Sequence, residues 1–120
     1  MKQFSAPVGA IVRARFPESE SVMQPGPKVR PALVLDERIR LGQRQLLVAY
    51  GTSQHTHRTG FGCFVVKAAD AKSLTKDTLF DLNRIVWLPA TSEYFANQRE
   101  QLPKSAIDGF RLAAEYAKLI

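Results

Sequence analysis

The sequence predicts a mainly β domain: a small, strongly curved antiparallel sheet or barrel, with one C-terminal helix closing a side. Three observations predict it. Five short apolar runs are separated by polar segments that carry Gly or Pro. The runs are too short for buried helices and suit strands. Only the segment from Pro103 onward places apolar residues at helical spacing.

The first strand is expected over residues 9–17, where Val12, Ala14 and Phe16 alternate against Arg13 and Arg15. Residues 17–28 read as a polar loop with the breaker Pro25-Gly26-Pro27. A loop of this length between strands often carries function. The second strand spans 31–35. Arg30-Pro31 precedes it and cannot continue a helix well, because proline disfavours the α region for the residue before it. Residues 36–44 read as a charged turn region around Gly42. A third strand follows at 45–50, then a polar loop at 51–60 and a fourth strand at 62–67. Residues 68–78 connect to a fifth strand, Ile85-Val86-Trp87-Leu88, ended by Pro89.

In the tail, Tyr94, Phe95 and Gln98 are candidates to cover the sheet or to sit at an interface. Ser105 and Asp108 have the spacing of a capping box. Ile107, Phe110, Ala114 and Ala117 share one helical face. Gly109 weakens this helix by up to about 1 kcal/mol relative to alanine.

The 120 residues suit one domain, residues 1–120, with one core. The 45% hydrophobic content argues against disorder. No apolar stretch approaches the roughly 18 residues that span a bilayer, and the N-terminus lacks the apolar region of a secretory signal. The single cysteine, Cys63, excludes an intrachain disulfide, so the cytoplasm is the expected compartment. The net charge of +6 biases the chain towards anionic partners, nucleic acid first and an acidic protein second. Arg13, Arg15, Lys28, Arg30, Arg38, Arg40, Arg44, Arg58 and Arg84 are spread along the chain. That spread fits a charged face built from several loops better than a basic arm.

Three constellations bear on chemistry. His55, His57 and Cys63 fall short of the four ligands of a closed zinc site, so no metal or cofactor is expected. His55 and His57 suit acid–base cleavage of RNA only if the loop holds them on opposite sides of a phosphate; otherwise both are solvated loop residues. The third constellation joins Arg30, at the mouth of the second strand, with Thr52, just after the third. Gly51 beside Thr52 allows close approach to the backbone. A planar, permanently charged guanidinium beside a hydroxyl is a phosphate grip. The alternatives stay open: Arg30 as a solvated strand end, and Thr52 as the cap of a turn.

Three segments resemble the MazF/PemK family of toxins from type II toxin–antitoxin pairs. They are Gly9-Ala10-Ile11-Val12-Arg13-Ala14-Arg15-Phe16-Pro17, then Lys28-Val29-Arg30-Pro31-Ala32-Leu33-Val34-Leu35, then Thr52-Ser53-Gln54. The resemblance covers roughly residues 8–90. It implies an SH3-like β-barrel of the MazF, PemK and CcdB kind with a C-terminal helix, usually a homodimer. It also implies a metal-independent endoribonuclease, an mRNA interferase, that cuts single-stranded RNA at short sequences by attack of the RNA's own 2′-hydroxyl. Arg30 and Thr52 match the catalytic arginine and threonine of that family. Lys28, Ser53, Gln54, His57 and Arg58 are then expected to bind substrate. An antitoxin with a flexible, often acidic tail is the expected protein partner. Ala10 stands where the family usually has an acidic residue, and Glu18 and Glu20 in the first loop would repel RNA if they faced it. Two other readings remain on the same fold: a gyrase-poisoning toxin like CcdB, and a catalytically silent member that binds RNA or a partner.

Overall fold

In the computed structural model, residues 2–19 and 23–119 are described. Six strands form one sheet in the order β4-β5-β3-β2-β1-β6. They are β1 (Ala10–Ala14), β2 (Arg30–Arg40), β3 (Gln43–Thr52), β4 (Cys63–Val66), β5 (Thr78–Pro89) and β6 (Phe95–Gln101). Every neighbouring pair is antiparallel. One helix, α1 (Ile107–Tyr116), follows a 3-10 turn at Lys104–Ala106. The mainly β expectation with a C-terminal helix holds. The sheet ends at β4 and β6, and its ladder is open.

Period-two alternation builds a core on each face. Ile11, Leu33 and Ala49 lie in register across β1, β2 and β3. They pack with Phe64, Phe80 and Leu82 beneath Ala113 and Ala114 of α1. Val12, Ala32, Val34, Val48 and Leu88 belong to the opposite cluster, with Phe4 and Phe95. The Phe4 and Phe95 rings stack at 4.8 Å. A single sheet that buries both faces this way must curve, and register shifts in three of its pairings supply the bends.

Five sequence expectations change. Residues 36–44 are not a turn region: β2 runs to Arg40, and only Leu41 and Gly42 turn. Their φ values are +52° and +79°, as a two-residue hairpin turn of the I′ kind requires. The hairpin tip is exposed, so no apolar alternation marks it. Polar contacts hold it instead: Arg44 pairs with Glu37 at 2.7 Å, Arg38 Nε donates to Gln45 Oε1 at 2.7 Å, and the Arg38 guanidinium lies 4.1 Å from the Trp87 ring centre. The sixth strand, β6, was hidden by its polar composition. It is an edge strand paired only with β1, and Phe95 is its one fully buried residue. Tyr94 and Phe95 are core residues, whereas Gln98 is exposed.

The third change is at the helix start. Ser105 Oγ donates to Asp70 Oδ2 at 2.9 Å, and α1 has Ala106 as its N-cap, with no side-chain cap. No capping box forms. The fourth is on the helix face. Phe110, Ala113, Ala114 and Ala117 pack inward, while Ile107 is 40% exposed. Gly109 has a packing reason: a Cβ there would lie 3.3 Å from Phe64 Cβ, so its absence lets α1 sit close on β4. The fifth strand also reaches further than 85–88, back to Thr78. No helix among the described residues is long and apolar enough to cross a membrane.

Candidate nucleic-acid interface

Sheet register brings Arg30 and Thr52 together. Ala32 of β2 stands opposite Tyr50 of β3. Continuing that antiparallel register places Gly51 beside Pro31 and Thr52 beside Arg30. The close approach is real: a Cβ on Gly51 would lie 2.7 Å from the Pro31 carbonyl oxygen and 2.8 Å from Phe80 Cε1. Gly51 therefore serves strand packing, and it also lines the cavity described next. Pro31 lacks an N–H, which loosens the ladder at the strand mouth.

Arg30 and Thr52 open into one cavity of about 290 Å³. Ser53 and Gln54 line it from the end of β3, and Arg13, Thr75, Lys76 and Thr78 line it too. Three cations face this space, and none of its lining residues is Asp, Glu or His. The Gln54 N–H donates to Thr52 Oγ1 at 3.1 Å. Thr52 thus does cap a turn, and this bond uses the oxygen as acceptor. Its own O–H remains available to donate to a ligand.

A second cleft, of about 650 Å³, adjoins on the other side of Arg30. Phe16, Tyr50, Lys28, Asn83 and Arg84 line it, and so does Glu18. Arg30 is the cation shared by both spaces. Tyr50 organises it: Phe16 meets the Tyr50 ring edge-on at 5.4 Å, and the guanidinium carbons of Arg84 and Arg30 lie 4.2 and 5.8 Å from its centre. Arg84 reaches Tyr50 because β5 bulges there. The β3 partners jump from Ile85 to Asp81 between Ala49 and Tyr50, leaving residues 82–84 looped out. Asn83 pins the bulge by donating from Nδ2 to the Phe61 carbonyl at 2.7 Å.

His57 and Arg58 stand apart. Both are exposed on the loop after β3, and neither lines either cleft. The His55 and His57 rings meet edge-on at 6.2 Å. Cys63 is half-buried; burial first, then the Asp81 carboxylate and its hydrogen bond, push its thiol pKa up. That makes it a poor nucleophile. Among the described residues, no cluster of three or more His, Cys, Asp or Glu is placed to hold a metal ion. Glu18 faces the second cleft, as the concern over charge repulsion required; Glu20 lies outside the described residues. Ala10 is 1% exposed within the apolar cluster around Phe4, so an acidic residue there would meet hydrocarbon.

Sequence reasoning missed Arg13, Lys76, Tyr50 and Asn83 as site residues. A signal existed for Arg13: it is a cation alternating within an apolar strand, two residues from buried Ile11 and so on the same strand face. No protein-family model and no curated protein matches this chain.

Proposed function

We propose that the protein is an endoribonuclease for single-stranded RNA, working as MazF/PemK toxins do. One observation carries the reading: Arg30 and Thr52, from the facing ends of neighbouring strands, open into one cavity that no carboxylate lines. In the reaction the 2′-oxygen bonds to the adjacent phosphorus and the P–O5′ bond breaks. The 2′-hydroxyl proton passes to solvent, and the 5′-oxygen takes one up. The products are a 2′,3′-cyclic phosphate and a 5′-hydroxyl. A guanidinium is permanently charged, so the role of Arg30 is to stabilise charge on the phosphoryl oxygens. The Thr52 hydroxyl donates to the same group. Unstacked bases suit the aromatic and cationic second cleft, which favours single strands.

The reading carries further members with it: closure of the sheet as an SH3-like barrel, a homodimer, a cytoplasmic setting, and an antitoxin. An acidic antitoxin segment complements the same cations that face RNA. The test is incubation of the purified protein with a long single-stranded RNA in EDTA, followed by mapping of the cut ends. Discrete cuts with 5′-hydroxyl ends are expected. Arg30→Ala should lower the rate by about 10²- to 10³-fold, the usual effect of losing one charge-stabilising donor. Intact RNA at high protein concentration overturns the reading and turns attention to a protein target such as gyrase, or to binding without cleavage.

A further inference from the structure

We propose that Arg13, with Lys76, forms a second phosphate contact in the Arg30–Thr52 cavity, so that the site grips two consecutive phosphates of the RNA. The inference rests on the ribonuclease reading and extends it. Arg13 stands opposite Pro31 in the β1–β2 register, and Arg30 opposite Ala14. Both arginines line the cavity, Arg13 from β1 and Arg30 from the neighbouring strand β2. Arg13 Nη2 donates to the Ser73 carbonyl at 3.0 Å. A guanidinium carries five N–H donors, so one bond fixes its position and leaves donors for a ligand. Among the described residues, neither Arg13 nor Lys76 forms an ion pair.

The loop that carries Lys76 is tied down at both ends. Glu100 on β6 accepts from Lys72 N–H at 2.9 Å, Ser73 N–H at 2.8 Å and Ser73 Oγ at 2.6 Å. The Thr78 hydroxyl donates to the Lys76 carbonyl at 3.0 Å. Glu100, the acidic residue bonded to this loop, spends its carboxylate on these donors and does not line the cavity. Three cations thus face a concave space without a counter-charge, which a chain of phosphates supplies better than one.

The experiment measures binding of a 2′-O-methyl RNA oligonucleotide, which lacks the attacking hydroxyl and stays intact. Fluorescence anisotropy gives affinity between roughly 50 and 200 mM salt. For single strands, each lost phosphate contact lowers the slope of log K against log salt by about 0.7. Arg13→Gln should lower it by that amount, Arg13→Lys should restore it, and Arg111→Gln on the exposed helix should leave it unchanged. Should Arg13→Gln fail to fold, as judged by thermal melting, Lys76→Gln carries the same expected slope. If Arg13→Gln binds like wild type while Arg30→Gln weakens, this inference fails and the ribonuclease reading stands. If affinity falls with the slope unchanged, Arg13 only supports the loop, and the inference is again overturned. If the wild type binds no RNA, both fall.

Discussion

Gly51→Ala tests whether the packing that builds the sheet also builds the site. The added methyl meets the Pro31 carbonyl oxygen at 2.7 Å and Phe80 Cε1 at 2.8 Å. Neither neighbour yields easily. The carbonyl is strand backbone, and Phe80 is fully buried. Overpacking of this kind costs about 1–3 kcal/mol. For a chain of this length each kcal/mol lowers Tm by about 4 °C, so a fall of about 4–12 °C is expected. Urea titration measures the loss directly. Phe80→Leu removes the ring edge, and the double variant should be less destabilised than the sum of the two by at least about 0.5 kcal/mol. Activity should fall as well, because the methyl pushes β2 from β3 where Arg30 faces Thr52. A displacement of about 1 Å costs up to about 10²-fold in rate. A stability change within about 0.5 kcal/mol of zero refutes the close approach.

Three further outcomes follow from the same geometry. Burial works against ionised Glu100 and is the largest single influence, but the hydrogen bonds from Ser73 and Lys72 and the Lys72 charge together hold its pKa below the usual glutamate range. The stability it supplies is therefore present above the unfolded pKa and lost as pH falls through the lower folded value. Glu100→Gln should destabilise at neutral pH, and urea curves should show that gap closing in acid. A double His55→Ala/His57→Ala variant should keep its cleavage rate, since neither ring lines a cleft; a loss of about 10²-fold or more, the size of an acid–base contribution, refutes this. Ala10→Asp should destabilise. Burial raises a carboxyl pKa by up to about 3–5 units, so the penalty is small near the unfolded value of about 3.9 and grows with pH. Equal stability losses in acid and at neutrality, by urea titration, count against it.

The fold was legible where one strand face meets a core. Residues 11–16 and 31–35 alternate or run apolar because neighbours cover them, and their strands were found. Where water covers both faces, the pattern vanishes. The hairpin tip from Asp36 to Arg44 reads as a turn, although hydrogen bonds, an ion pair and the Arg38–Trp87 contact keep it extended. Edge strand β6 fails for the same reason: only Phe95 is fully buried. The missing cap at Ser105 shows a different limit. A capping box needs the serine free, and a tertiary partner, Asp70, takes it instead.

The site divides along the same line. Arg30 and Thr52 were legible because local chemistry marks them: a cation before proline, and a hydroxyl after glycine at a strand end. Lys76 and Arg84 were not, because their relevance depends on which strands become neighbours, and Arg13 was marked only as a cation within an apolar strand. Arg84 reaches Tyr50 only through a three-residue bulge in β5. Lys76 reaches the cavity only because Arg13 and Glu100, from two different strands, hold the same loop at Ser73. One residue on that loop thus receives a cation's hydrogen bond on its carbonyl and gives its N–H to a carboxylate. The carboxylate is thereby kept from neutralising the cations, and the cavity retains the positive charge an anionic strand would meet.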